Sequence, residues 1–419
     1  MRQITLTITL LVLALVGGGR SACAALTLQE AERLALEKDP TVAQLMAESN
    51  ALSQKAIADG SLKDPRLTLG VVSVPLDTFD MEQEAMTQEK IGIQQGFPRG
   101  DTLKLERQQT DSMAQQKRLA AELENRKIVQ EVRIAYQDVL YQQLAYQSIQ
   151  ASQKFLKQLM EIVEFRYSSG KASRQDFMEA SLAHSRTADR LLKVKNQEDA
   201  ARARLSKWIP REAAFGKLAS SFVALPVLPP PAEMNGRLAK HPVMQIADQQ
   251  IQTQGLDLLK AKEQYKPGWM IDASYGYRQG DNPNKTPRSD FVSLMVSMDM
   301  PLFTENRQDR LHDARRIQVQ AAEWGRDDRL RTLASDLELY HAEYLRLGER
   351  LQVFDKQLLP EAKQYTETAM VSYQSGVADL TSVMRAHLAE LAIRLDQLEV
   401  RYKRLVTQAR LLFIVGEQG

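Results

Sequence analysis

The residue types that most often carry chemistry are thinly spread along this chain. Its five histidines are His184, His241, His312, His341 and His387, and no two of them have metal-ligand spacing. There is no HExxH zinc motif, no GxSxG nucleophile elbow and no glycine-rich phosphate loop. The one cysteine, Cys23, excludes a disulfide framework and a multi-cysteine zinc site. Met295, Met298 and Met300 suggest a thioether ladder for a soft cation. Strand alternation, however, turns Met295 away from the other two, which favours lipid or core packing. These residues predict no enzyme, no cofactor and no resident metal.

What remains is architecture. The 419 residues carry 55 Lys+Arg against 53 Asp+Glu, a balance that argues against a dedicated nucleic-acid binder. Aromatics are scarce at 6%, charged residues reach 26%, and the composition leans towards long helices. No interior apolar run reaches the ~18 residues of a spanning helix. From Asp101 to Ser169 there is neither Gly nor Pro. Within that stretch Ile128, Val132, Ala135, Val139, Tyr146, Ile149, Leu156, Met160 and Val163 fall on heptad spacing, interrupted by Gln142 and Gln153. A helix of this length, roughly 100 Å at 1.5 Å per residue, must pack along other long helices.

The pattern occurs twice. Asp39-Pro40 and Pro65 recur 202 residues later as His241-Pro242 and Pro267. Phe97-Pro98 recurs as Met300-Pro301, and Tyr167-Ser168-Ser169-Gly170 recurs 206 residues later as Tyr373-Gln374-Ser375-Gly376. Met178 then matches Met384, and Ala180 matches Ala386. Four landmarks in order at nearly constant offset mark an internal duplication. Each copy reads helix, strand, strand, long helix, helix. The expected organisation is a leader over 1–24, a first repeat over 25–223, a Pro-rich linker over 224–231 and a second repeat over 232–419. Gly325, Gly348 and Pro360 are expected kinks in the second copy.

The predicted strands alternate. Trp269, Ile271, Ala273, Tyr275 and Tyr277 interleave with Met270, Asp272, Ser274, Gly276 and Arg278. Val292, Leu294, Val296, Met298 and Met300 interleave with Ser293, Met295, Ser297 and Asp299. Segments of about ten residues with one apolar and one polar face suit a transmembrane β-strand as well as an ordinary half-buried sheet. Leu67, Leu69 and Val71, then Ile91, Ile93 and Phe97, give the first copy a weaker version. Four strands cannot close a barrel, and an open sheet cannot span lipid, so the transmembrane reading requires oligomers. Three copies give twelve strands. At the front, Met1-Arg2, an apolar run to Val16 and Ala22-Cys23-Ala24 read as a secretory leader cut after Ala24. Lipidation of Cys23 is the alternative, disfavoured by Arg20.

With its leader, its duplicated layout, its Tyr-x-x-Gly turns and its opening Leu26-Thr27-Leu28-Gln29-Glu30-Ala31 before Asp39-Pro40, the chain resembles the TolC-like outer-membrane channel family. The resemblance implies an α+β fold. Long antiparallel helices would form a periplasmic coiled-coil tunnel, and four strands per chain would contribute to a twelve-stranded transmembrane barrel in a homotrimer. It implies a passive exit duct in the bacterial outer membrane, working with a periplasmic adaptor and an inner-membrane pump. The run from Met300 to Arg307 looks most like the heavy-metal (cobalt-zinc-cadmium or copper-silver) branch. A type I secretion duct and a periplasmic coiled-coil scaffold are the alternatives.

The family narrows its tunnel with acidic residues six and nine positions after the turn Gly. By that resemblance Asp176, six after Gly170, is the pore candidate. In the second copy Ser382 and Arg385 stand at the corresponding places, and Asp379 lies three after Gly376. Arg385 could pair with Asp176 or Asp379 as a latch. The alternative for Asp176 is that it serves the start of its own helix. Ser169, Gly170, Ser375 and Gly376 are the turns that would meet the adaptor. Trp269, Ile271, Tyr275 and Tyr277 would face the membrane.

Overall fold

A computed structural model describes residues 25–37 and 39–416. The leader, its cleavage site and Cys23 lie outside the described residues. In chain order the elements are α1 (Leu28–Glu37), α2 (Pro40–Asp59), β1 (Arg66–Val72), β2 (Gln88–Phe97), α3 (Thr102–Ser168), α4 (Arg174–Leu205) and α5 (Arg211–Ala214). There follow α6 (Pro231–Leu238), α7 (Pro242–Glu263), β3 (Gly268–Tyr277), β4 (Phe291–Asp299), α8 (Gln308–Val353), a π-helical turn (Phe354–Leu358), α9 (Leu359–Gln374) and α10 (Leu380–Val415). Each half runs helix, helix, strand, strand, long helix and further helices, with a short break before Pro40 and before Pro242.

Those breaks have a local cause. Pro40 and Pro242 each stand at the first helical position, where the missing N–H costs nothing. The residue before each proline caps the helix. Asp39 accepts from the amides of Thr41 and Val42 at 2.9 and 3.0 Å. In the second copy His241 takes over, its Nδ1 accepting from the amide of Val243 at 3.3 Å.

Two compact units emerge, and each draws on both repeats. One holds the described residues through Leu34 together with 135–223 and 359–402. Here the heptad seam is buried: Val139, Ile149, Leu156 and Val163 are at most 1% exposed. Leu156, Leu159 and Val163 of α3 pack with Ala180 of α4, Ala369 of α9 and Leu380, Val383, Met384 and Ala386 of α10. Small side chains at Ala180 and Ala386, matched positions in the two repeats, let these helices approach closely. Gln142, which interrupts the seam, is buried and bonds Asp138 at 3.3 Å. The buried Arg202 has partners for both its Nε and its Nη1. It meets Glu198 at 2.9 Å and the carbonyls of Ala214 and Gly216, both at 2.9 Å. A buried guanidinium is tolerated only when satisfied in this way.

The second unit contains 35–134, 224–358 and the residues from Lys403 onward. Its core gathers Met234 and Leu238 of α6, Met244 of α7, Leu333 and Leu337 of α8, and Leu411, Ile414 and Val415 of α10. Helix α8 runs through Gly325 and Gly348 without interruption, contrary to the expectation of kinks there. The irregularity falls instead at the π-helical turn just before Pro360. Proline has no N–H to give the carbonyl four residues back, and the widened turn accommodates that loss.

The same unit carries the sheet, antiparallel throughout, in the order β1-β2-β3-β4. Its register sorts side chains by polarity. Leu67, Ile93, Ala273 and Leu294 stand in one cross-strand row, and Leu69, Ile91, Tyr275 and Val292 in the next row on that face. Trp269 lies between Phe97 and Met298, and Ile271 between Gln95 and Val296. The opposite face has rows of Thr68, Gly92, Ser274 and Ser293, then Arg66, Gln94, Asp272 and Met295.

Candidate functional site

Two features of the molecule stand out as candidate sites. The first is the sheet. Its apolar face is uncovered: Leu69 and Leu294 are each 72% exposed, Val292 83%, and Trp269, Ile271, Tyr275 and Tyr277 between 39% and 49%. An amphipathic sheet in water hides its apolar face; this one displays it across all four strands. Strands β1 and β4 are also free edges, since each pairs with one neighbour only. Uncapped edges next to an apolar face are what a strand-pairing partner completes. Met295 pairs with Asp272 on the polar face, Met298 with Trp269 on the apolar face, and Met300 lies beyond the end of β4. The three methionines therefore do not converge. Among the described residues no three His, Cys, Asp or Glu side chains gather as a metal site would need. No helix among them is long and apolar enough to cross a membrane.

The loops at one end of the strands are tied to each other. Arg288 in the β3–β4 loop donates to the carbonyls of Glu82 and Glu84 at 3.0 and 3.1 Å. Arg278 donates to the carbonyl of Ala85 at 2.9 Å. The polar tip predicted between Gln279 and Ser289 is thus fastened to the loop between β1 and β2.

The second feature is the pair of turns that join α3 to α4 and α9 to α10. Both are built alike. Gly170 has φ +72° and Gly376 has φ +76°, left-handed values that a side chain resists. The amide of Lys171 reaches the carbonyl of Arg166 at 2.7 Å, and that of Gly170 reaches Tyr167 at 3.0 Å. Val377 reaches Ser372 at 2.9 Å and Gly376 reaches Tyr373 at 3.1 Å. Each set is a Schellman cap. Ser169, Gly170, Ser375 and Gly376 are all exposed.

The next helix starts on a reciprocal capping box in the first copy and on a one-sided aspartate cap in the second, with the Ser and Asp positions exchanged. In the first, Ser173 is the N-cap. Its hydroxyl accepts from the amide of Asp176 at 3.1 Å, and Asp176 accepts from the amide of Ser173 at 3.0 Å. In the second, Asp379 stands where Ser173 does and Ser382 where Asp176 does. The Asp379 carboxylate accepts from the amide of Ser382 at 2.8 Å and from its hydroxyl. Those bonds hold the Asp379 carboxyl below its ordinary value. Asp176 therefore does serve its own helix, the alternative raised for it from sequence. A charged carboxylate is available in both turns, three residues apart in register.

Both carboxylates line one cavity of about 180 Å³, with Arg166, Lys171 and Tyr373 beside them. Arg166 crosses between the hairpins. Its guanidinium donates to the Tyr373 hydroxyl at 2.6 Å and lies 5.2 Å from the ring centre. Thr381 donates to Glu179 at 2.8 Å, a second tie between the same hairpins. Sequence reasoning missed both ties, because neither pair stands at matched positions of the two repeats. Arg385 is exposed and makes no ion pair within the chain among the described residues. Its charge reaches Asp379 only at longer range, as one of the weaker influences on that carboxyl.

With this geometry in view, comparison with known proteins is informative. Residues 239–417, which fall in the second repeat, match the family model described as outer membrane efflux protein. No curated protein sequence matches the chain. The fold is that of several solved outer-membrane channels. The outer membrane protein VceC of Vibrio cholerae aligns over 93% of this chain and 96% of its own, at 16% identity and a TM-score of 0.75. The CmeC outer membrane channel of Campylobacter jejuni aligns over 93% and 85%, at 11% identity and a TM-score of 0.78. CusC, whose structures address transmembrane channel formation, aligns over 94% and 93%, at 16% identity and a TM-score of 0.77.

Proposed function

We propose that this chain is an outer-membrane efflux channel, the exit duct of a tripartite export system. Three copies would close a twelve-stranded barrel in the bacterial outer membrane, with the long helices forming a tunnel in the periplasm. The observation that carries this reading is the exposed apolar face of a four-stranded sheet with two free edges. Every backbone group in lipid must find a partner, so β4 of one copy would pair with β1 of the next until the ring closes. Trp269, Ile271, Tyr275 and Tyr277 would then face lipid, and the Arg66, Asp272 and Met295 row would face the lumen. The match of residues 239–417 to the efflux family and the fold of VceC, CmeC and CusC support the same reading.

In this account 25–223 and 232–419 are duplicated halves, joined by the linker 224–231, and 1–24 is the export leader, cut after Ala24 without lipid. The turns at Ser169-Gly170 and Ser375-Gly376 are exposed and stiffly capped, so they suit docking to a periplasmic adaptor, which in turn meets an inner-membrane pump. Asp176 and Asp379 would place six carboxylates around the axis of a trimer. Such a ring favours cations. Together with the Met300–Arg307 resemblance, it supports heavy-metal cations as cargo. Energy and chemistry would belong to the pump; the duct itself is not an enzyme.

The test is purification from outer membranes in detergent, followed by native mass measurement and planar-bilayer recording. A trimer that conducts is the expected result. A monomer or dimer, or a protein soluble without detergent, would overturn the reading. Cation preference should fall when Asp176 and Asp379 are both replaced by Asn; unchanged preference would remove the acidic ring from the pore.

A further inference from the structure

We infer that His241 is an acid-sensitive clasp on the start of α7, whose protonation breaks the cap on that helix while leaving the bond to the last turns of α10 in place. Both ring nitrogens are committed, one as acceptor and one as donor. Nδ1 faces the amide of Val243 at 3.3 Å, a group that can only donate, so Nδ1 must be the bare nitrogen. Nε2 faces the carbonyl of Phe413 at 3.2 Å, a group that can only accept, so Nε2 must carry the proton. The neutral imidazole in this one tautomer satisfies both. The imidazolium has two N–H groups, so it keeps the Phe413 bond but turns a donor towards a donor at Val243.

The ring cannot escape to water. It is 1% exposed and packs edge-on to the Phe413 ring at 5.2 Å. Charged groups of both signs lie around it. From α3, Glu122 favours the charged ring and Arg126 opposes it. Arg237 at the end of α6 and Lys240 in the following turn lie with Phe413 around one cavity, and they add positive charge. On α10, Arg410 is directed over the Tyr340 ring of α8 at 5.4 Å. Among the described residues no carboxylate bonds the ring to stabilise the imidazolium. Burial accordingly holds the His241 pKa below its ordinary 6.5. The sign follows from linkage: the folded group binds a proton more weakly than the unfolded one. Its contribution is complete above pH 6.5 and is lost as pH falls below that.

Two comparisons within the chain isolate the effect. Asp39 caps α2 at the matching place in the first repeat. A carboxyl group retains an acceptor oxygen whether or not it is protonated, so that cap has no equivalent weakness. His387 is a half-buried histidine with a side-chain partner. It bonds the Ser152 hydroxyl at 3.0 Å, a group that can turn from donor to acceptor. Of the three, His241 is the one at which protonation forces a bond to break. The helix it caps leads directly into β3 and is tied to α8 by Arg326 and Asp248 at 2.5 Å.

Hydrogen–deuterium exchange on the detergent-solubilised full chain tests the inference, with rates corrected for the intrinsic pH effect. Between pH 7.5 and 5.0 the peptide covering residues 242–250 should exchange about fivefold faster, the size of one lost helix cap. The peptide covering 40–48 should not change. In His241→Asn the amide oxygen can still accept and the amide nitrogen still donate, but nothing titrates, so the acid gain should vanish. Equal corrected exchange of 242–250 at both pH values would overturn the clasp, and so would an undiminished acid gain in His241→Asn. If the variant does not fold, the comparison of the two wild-type peptides decides alone.

Discussion

In β4, Val292 and Leu294 leave 83% and 72% of their surface uncovered, whereas in the packed helices beside the turns Val383 and Ala386 are fully enclosed. The two regions use the same apolar residue types for opposite ends. The turn region stabilises itself: Schellman caps, side-chain N-caps and a core shared by α3, α4, α9 and α10 are all supplied by one chain. The sheet supplies only its hydrogen-bond ladder, and its apolar face and edges must be satisfied from outside. Changes in the turns should therefore alter the chain's own stability. Changes on the sheet should alter where the chain can reside.

The largest contrast comes from reversing the sheet's polarity. Leu294→Arg puts a charge at mid-strand on the apolar face and should cost about 2–4 kcal/mol of membrane stability. Ser293→Arg, one residue away on the polar face, should insert normally. Urea-gradient unfolding in lipid vesicles reads both. Equal costs would mean the faces are not distinguished by lipid, and the comparison between regions fails.

The turns give the next effect. Gly170→Ala and Gly376→Ala force a side chain into left-handed backbone and should each lose roughly 1–2 kcal/mol. Thermal unfolding measures this, and outer-membrane insertion should be unaffected. Nothing lies within 4 Å of a Cβ at either position, so steric clash cannot be the cause. A smaller loss follows from removing the hydrogen-bonding caps. Ser173→Ala and Ser382→Ala should not be equal. Ser173 is the N-cap acceptor for the amide of Asp176, and its loss should cost about 1 kcal/mol. Ser382 only donates its hydroxyl to Asp379, whose bond from the Ser382 amide survives the change. Equal losses in helix melting would contradict the exchange of roles between the two copies.

The smallest effect is electrostatic. The Asp379 carboxyl is held below its usual value by the Ser382 hydroxyl and amide, with a lesser contribution from Arg385. Its folded form binds a proton more weakly than its unfolded form. The stabilisation is present above the ordinary carboxylate range and lost as pH falls through the folded value. Asp379→Asn should flatten the acid limb of the unfolding profile relative to wild type, and Arg385→Ser should leave most of it intact. An identical acid limb in Asp379→Asn would remove the charge from the cap.

Much of this was legible in the sequence, for reasons that differ by region. The strands declared themselves through period-two alternation, which survives without knowledge of any partner. Gly170 and Gly376 were visible because only glycine tolerates their backbone. The α3 seam was readable because heptad spacing specifies a buried stripe whatever covers it. The acidic positions were harder. Matching Asp176 to Ser382 by offset made the second turn look deficient, although Ser173-x-x-Asp176 and Asp379-x-x-Ser382 were both present as capping-box spacings. Position was conserved between the copies in function but not in residue type. The Arg166–Tyr373 and Glu179–Thr381 ties needed tertiary structure, because they link hairpins from different repeats. Gly325 and Gly348 misled because a long helix tolerates an isolated glycine, while Pro360 cannot be ignored by its hydrogen-bond ladder.

The proposal that the sheet is a membrane barrel is tested most directly at four successive positions of β4. Single cysteines at Val292, Ser293, Leu294 and Met295 would be introduced and the protein reconstituted in vesicles. A membrane-impermeant thiol reagent should modify positions 293 and 295 and spare 292 and 294. Fluorophores at 292 and 294 should in turn be quenched by nitroxides on lipid chains, and those at 293 and 295 should not. Equal aqueous reactivity at all four positions, with no lipid quenching at 292 and 294, would contradict the account.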